Sequence, residues 1–222
     1  MALSSFIRIS VIRVASLFFK SKKSKVLFYH DIHAGKKYTA MSTSIELFRK
    51  HIQIIRENGY EIVSKITKPN NQIEISFDDG FMGVYDNIDV IIKLDISIQL
   101  FVVTSYLDTE NYLNRSQLLE LDTLSQIIVS SHTHTHSILN RVSEKEVVIE
   151  LETSKKLLEN ILGKKVNSLC FPEGKFSNKV IKIAQKYGYN SIYSSLPGFY
   201  FNDFLPNVKR RSLVQFSRKK EF

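Results

Sequence analysis

The sequence predicts an α/β fold closed into a (β/α) barrel. Three observations carry that expectation. From residue 26 onward, short apolar strand-like runs alternate with amphipathic helical runs, the pattern of a parallel sheet with crossovers. None of the six or seven strand–helix units opens on a glycine-rich nucleotide turn, which favours a barrel over an open, doubly wound sheet. Polar residues stand directly after several strand runs, where parallel barrels carry their chemistry.

The elements follow in order. Residues 26–29 read as a short apolar strand. Thr43-Ser44-Ile45-Glu46 has the form of a capping box, and Ile45, Phe48, Ile52 and Ile55 continue it as the apolar stripe of a helix that Gly59 stops. Residues 73–77 form the next strand, 84–94 a helix and 98–103 a strand. A helix is expected over 116–124 and a strand over 127–131. Ser143-Glu144-Lys145-Glu146 is a second capping box; its helix carries Val147, Leu151, Leu158 and Ile161 inward and ends at Gly163. Strands over 166–171, 191–194 and 211–214 and a helix over 178–187 complete the pattern.

Four of these strand ends could converge on one barrel mouth: Tyr29-His30-Asp31, Asp78-Asp79-Gly80, His132-Thr133-His134-Thr135-His136, and Pro172-Glu173-Gly174. Adjacent carboxylates such as Asp78 and Asp79 repel unless positive charge lies beside them, and on extended backbone they point in different directions. One can therefore bind a metal while the other faces a reacting water. Three of the six histidines fall within five residues, and imidazole is the preferred nitrogen ligand of zinc and its neighbours. Asp79, His132 and His136 make a facial set of two nitrogens and one oxygen, which leaves coordination positions open as a catalytic site requires. Asp78 remains as a base. His134 reads by spacing as a bystander.

These segments resemble the polysaccharide deacetylase family, the group with the NodB homology domain in carbohydrate esterase family four. The resemblance runs from about Val26 to Val214. It rests on Tyr29-His30, on Gly59-Tyr60 after the first helix, on Ser76-Phe77-Asp78-Asp79-Gly80, on Ser131-His132-Thr133-His134-Thr135-His136, and on the shorter loop Pro172-Glu173-Gly174. It implies a distorted (β/α) barrel of about seven units. It implies Asp78 as general base, Asp79, His132 and His136 as metal ligands, and the Pro172-Glu173-Gly174 loop in substrate binding, with a backbone N–H near Glu173 on the oxyanion. The implied reaction is hydrolysis of an N-acetyl, less often O-acetyl, group on a glycan. The chain departs from the family pattern at Cys170, where arginine is common, and at Glu173, where tyrosine is common. It has no tryptophan, and no histidine follows His136. The usual late histidine acid is thus missing, and the candidate donors of a proton to the leaving amine are His30 and Asp78, the latter returning the proton it took.

Composition bounds the alternatives. The chain has 222 residues, 43% hydrophobic and 11% aromatic, with 8 Gly and 4 Pro, which excludes disordered and low-complexity classes. A lone cysteine, Cys170, excludes an intramolecular disulfide and an all-cysteine cluster and fits a reducing compartment. The formal charge is +9, concentrated at the ends: residues 1–25 hold six basic and no acidic side chains, and 208–222 hold six basic side chains against Glu221. A nucleic-acid partner is not expected, because such proteins carry a basic stripe across the body. Basic ends instead suit an anionic membrane surface or an acidic polymer. In residues 1–19, Leu3, Ile7, Val11, Val14 and Phe18 fall on one helical face, but Arg8 and Arg13 interrupt the run, so a helix lying on the membrane or packed on the barrel is expected rather than a span or a signal peptide.

The chain is thus expected to divide into a basic, apolar helical extension over 1–25, a deacetylase barrel over 26–216 and a basic tail over 217–222. The expected function is that of a metal-dependent hydrolase removing acetyl groups from a polysaccharide or lipid-linked glycan. The alternative is a catalytically degenerate relative that binds carbohydrate. The expected metal is Zn²⁺, with Co²⁺, Ni²⁺ and Fe²⁺ suited to the same ligands. The expected location is cytoplasmic, with peripheral attachment at the inner membrane surface.

Overall fold

A computed structural model describes residues 21–202, 207–215 and 217. The apolar helix expected over residues 1–19 lies outside them, as does all of the expected basic tail except Ser217. Seven parallel strands close a barrel. In spatial order they are β1 (Lys25–Tyr29), β10 (Lys209–Leu213), β9 (Ser191–Ser194), β8 (Ser168–Cys170), β7 (Ile127–Ser131), β6 (Ile98–Val102) and β5 (Gln72–Phe77), and β5 pairs back onto β1. A two-residue strand, β4 (Glu61–Ile62), pairs with the start of β5, and β2 (Asp31–His33) with β3 (Ser42–Ser44) forms a separate parallel pair. The helices are α1 (Ile45–Glu57), α2 (Gly83–Asp86), α3 (Ile88–Lys93), α4 (Arg115–Asp122), α5 (Glu144–Leu162) and α6 (Asn178–Lys186). Among the described residues no helix is long and apolar enough to cross a membrane.

Side chains alternate in and out along each strand, so register identifies what fills the barrel. Val26 lies opposite Glu74 on one side and Arg211 on the other, Phe28 opposite Ser76, Phe101 opposite Ser130, and Cys170 opposite Tyr193. Cross-barrel contacts confirm that this set faces inward. Arg211 bonds Ser76 and Cys170 and stacks on Phe28 and Phe101. The opposite phase, with Leu27, Tyr29, Ile73, Ile75, Phe77, Leu100 and Val129, packs outward as one core with α1, α3 and α4, while Leu169 and Ile192 join a second core with α5 and α6.

The sequence expectations need four adjustments. The N-cap of α1 is Ser44, whose Oγ accepts from the Leu47 N–H; Thr43 lies in the middle of β3 and donates its hydroxyl to the Gln215 carbonyl. The helix expected over 84–94 is two, because the Asn87 side chain donates to the Gly83 and Ile32 carbonyls and ends the first turn. Helix α4 starts on a capping box between Asn114 and Gln117. Finally, Arg211 is not part of a solvated basic end, for it is fully buried in the barrel. The second box, Ser143 with Glu146, is complete in both directions, and Gly163 caps α5 at a φ of 66°.

Candidate metal centre and active site

Strand phase explains which side chains enter the mouth. Asp78 continues the inward series of Gln72, Glu74 and Ser76, and His132 continues that of Ile128 and Ser130. Both are buried. Asp79 belongs to the outward phase, and its backbone must turn to bring it back. It does so at a φ of 73°, which a small polar side chain tolerates best. Thr133, His136 and Glu173 also lie in the left-handed region, at 68°, 61° and 53°. Strained backbone is thus concentrated in the loops that form the mouth.

Asp79, His132 and His136 converge. The Asp79 Oδ1 lies 3.5 Å from His132 Nε2 and 3.6 Å from His136 Nε2, and the three ligand atoms all lie within 4.8 Å of one another. Zinc bonds of about 2.0–2.2 Å in a tetrahedron put ligand atoms roughly 3.3–3.6 Å apart, so the set fits one divalent cation. Two further features support the fit. Asp79 Oδ1 is buried with no hydrogen-bond partner among the described residues. His132 Nδ1 lies 2.8 Å from the Cys170 carbonyl, which can only accept, so Nδ1 carries the proton and Nε2 presents its lone pair. Burial lowers the His132 pKa more than the neighbouring Asp78 and Asp79 charges raise it, which keeps the ring neutral.

A second trio, Asp78, His132 and Cys170, is equally close-set. It does not suit a cation. Arg211 donates Nη1 to Asp78 Oδ1 and Nη2 to Asp78 Oδ2, both at 2.7 Å, and Nη2 also reaches Cys170 Sγ at 2.7 Å. A cation there would meet the guanidinium, and burial pushes the Cys170 thiol well above its usual value, so it stays protonated. Burial by itself would raise the Asp78 pKa; the Arg211 charge and hydrogen bonds outweigh it and hold the carboxyl below its ordinary value. Asp78 is therefore ionised in the neutral range.

The remaining predicted residues fall around this centre. His30 is half-buried after β1, continues the inward phase of Val26 and Phe28, and places Nδ1 2.6 Å from Gln215 Oε1. Its charge is among those that lower the Asp78 pKa. Pro172, Glu173 and Gly174 form a 3-10 turn after β8. Gly174 is required there, since a Cβ would lie 2.6 Å from the Ser195 backbone nitrogen. The Glu173 carboxylate is exposed and paired with Lys175 Nζ at 2.7 Å. His134 is not among the converging ligands; its Nδ1 lies 2.9 Å from Thr104 Oγ1, which ties the histidine loop to the loop after β6.

Two participants were not singled out from the sequence. Arg211 is one. Glu150 on α5 is the other: it accepts from the His134 and Thr135 N–H groups at 2.9 and 2.8 Å and from the Thr135 hydroxyl at 2.5 Å, clamping the loop that carries His136. Its place on the buried face of α5, three residues after Val147 and four before Ser154, was the available signal.

A family model described as polysaccharide deacetylase matches residues 65–192 of this chain. The chain belongs to the polysaccharide deacetylase family. It is 26% identical over 190 residues to the protein YxkH of Bacillus subtilis, covering 81% of this chain and 67% of the relative. A polysaccharide deacetylase from Bacillus cereus superposes with a TM-score of 0.76 at 26% identity, over 90% of this chain and 67% of the other. The deacetylase PplD of Streptococcus pyogenes, at 18% identity, shares the fold with a TM-score of 0.78 over 90% of this chain and 95% of its own. This chain therefore spans about two thirds of the length of YxkH and of the Bacillus cereus protein. As in the solved deacetylases, the closed parallel barrel is the scaffold, and the Asp79, His132 and His136 group lies at the C-terminal ends of its strands.

Proposed function

We propose that this polysaccharide deacetylase family member is a metal-dependent hydrolase that removes acetyl groups, N-acetyl foremost, from a polysaccharide or lipid-linked glycan. The observation that carries the reading is the convergence of Asp79, His132 and His136 beside a second, separately held carboxylate, Asp78. A divalent cation, Zn²⁺ foremost, held by those three residues would polarise the acetyl carbonyl and make water a stronger nucleophile.

The other steps belong to the chain. Asp78 takes a proton from the attacking water. Arg211 keeps it anionic and fixes its plane, so each carboxylate oxygen retains a lone pair for that water. His30 delivers a proton to the departing nitrogen, because an amine leaves an amide carbon only when protonated as the bond breaks. The hydrogen bond from His30 Nδ1 to Gln215 orients the ring and leaves Nε2 for that transfer. The Glu173 N–H is the candidate oxyanion donor. Its carboxylate does not oppose the developing charge, because it is exposed and neutralised by Lys175.

The test is acetate release from N-acetylated chito-oligosaccharides with added Zn²⁺ or Co²⁺, comparing the wild type with Asp78→Asn. Release by the wild type and its loss in the variant support the hydrolase. Binding of the oligosaccharide with no acetate released across a broad panel of acetylated glycans overturns it in favour of a non-catalytic carbohydrate-binding protein.

A further inference from the structure

Phe81, Tyr112 and Tyr106 form a continuous aromatic stack beside the metal centre. The Phe81 and Tyr112 rings lie 4.6 Å apart at 22°, and Tyr106 packs on Tyr112 at 4.6 Å and 45°. Phe81 is buried and backs the stack, while Tyr106 and Tyr112 are half-exposed, so its solvent side belongs to the tyrosines. Single exposed rings need no explanation, but two half-exposed rings stacked on a buried third, two residues from a candidate metal ligand, do.

The stack is fastened to the centre by backbone. Phe81 follows Asp79 by two residues. The Leu113 N–H donates to the Gly80 carbonyl and the Met82 N–H to Asn111, joining the tyrosine loop to the turn that carries Asp79. On the other side, the Thr104 and Ser105 N–H groups donate to the Thr133 and His134 carbonyls within the histidine loop. The loop holding Tyr106 and Tyr112 is therefore braced against both segments that supply the metal ligands, and its rings hold a fixed place relative to the reacting group.

We propose that Tyr106, the outer ring of the stack, backed by Tyr112 and Phe81, forms a stacking platform for a pyranose ring of the glycan, the sugar adjoining the one that is deacetylated. The C–H face of a pyranose is apolar and flat enough to cover a tyrosine ring, while its equatorial hydroxyls stay in water. The chain has no tryptophan to offer such a face, and Tyr106, with Tyr112 and the buried Phe81 stacked behind it, supplies an aromatic one. The platform rests on the hydrolase reading for its ligand but makes a separate claim: it sets affinity for a polymeric substrate rather than the chemistry at the acetyl group.

The experiment is calorimetric titration of the metal-depleted full-length protein with N-acetylated chitotetraose, which binds without turnover, alongside acetate release from the same tetramer with Zn²⁺. Tyr106→Ala is expected to weaken tetramer binding about tenfold, while Tyr106→Phe retains wild-type affinity. Circular dichroism on each variant checks the fold, and Tyr112→Phe provides a second ring-preserving control. Unchanged affinity in Tyr106→Ala overturns the platform, as does an equal loss in Tyr106→Phe, which would assign the contact to the hydroxyl. Failure of the wild-type protein to bind the tetramer also overturns it. Acetate release with a tetramer KM indifferent to Tyr106→Ala leaves the hydrolase standing and removes the platform. Tyr106-dependent binding with no acetate released does the reverse.

Discussion

Arg211 holds both oxygens of Asp78 at 2.7 Å, across 133 residues of chain and in the middle of a closed barrel. Arg211 is fully buried and Asp78 nearly so, so each is the other's principal compensation for leaving water. Arg211→Met should strand an ionised carboxylate in the interior. The expected loss is about 3–5 kcal/mol of unfolding free energy, together with loss of acetate release. The double variant Asp78→Asn with Arg211→Met should be less destabilised than the two single losses summed, because no uncompensated charge remains. Urea unfolding of the four proteins checks the cycle; strict additivity would mean that the pair is not coupled.

Glu150 positions His136 without touching a ligand atom. Its carboxylate replaces the hydrogen bonds that the His134 and Thr135 N–H groups would otherwise seek in a tight, strained loop. Glu150→Gln keeps the size but can accept through only one oxygen. The expected result is a fall of about 10–100-fold in Zn²⁺ affinity, the usual consequence of disturbing a partner one step removed from a metal ligand. Competition against a chelating dye measures it. In the same assay His136→Ala should lose more affinity than His134→Ala, since His134 points to Thr104 rather than to the ligand cluster.

The barrel and the three candidate ligands were legible in the sequence for one physical reason: their signals are local. Capping boxes such as Ser143 with Glu146 lie within one turn, and His132, His134 and His136 announce themselves within five residues directly after a strand. Arg211 was not legible because its meaning is non-local. Within Lys209-Arg210-Arg211 it reads as one more solvated charge at a basic end. Only the register that sets it opposite Val26 turns it inward, toward a carboxylate on a strand it does not adjoin. The break at Asn87 was hidden in a similar way, since an apolar run on both sides reads as one helix until the Asn87 amide finds the Ile32 carbonyl.

Gly83 marks where helix α2 meets the segment after β1. A Cβ there would lie 2.1 Å from Asp31 Oδ1 and 2.3 Å from the Ile32 carbonyl, both fixed by burial. Gly83→Ala is therefore expected to destabilise the protein by about 3 kcal/mol, the upper range for overpacking, although alanine is the better helix former. A melting temperature equal to or above that of the wild type would show that the Asp31 segment yields more easily than its packing implies.

Glu74 gives the pH prediction, from the barrel interior on the N-terminal side of Ser76 and Asp78. Burial raises its pKa to about 7, against the opposing pull of Tyr193, Lys209 and Arg211. The folded protein therefore keeps the Glu74 proton at pH values where an unfolded glutamate, at 4.5, has released it. Where the native state binds more protons than the unfolded state, stability falls as pH rises. This group's contribution should be intact below 4.5, decline between 4.5 and about 7, and stay constant above. Glu74→Gln preserves shape and cannot ionise, so it should gain on the wild type across that window, by about 3 kcal/mol at its upper end. Urea unfolding of both proteins at about pH 4 and about pH 8 reads the difference directly. A stability gap between them that is the same at both pH values would mean that Glu74 titrates in the barrel as it does in water.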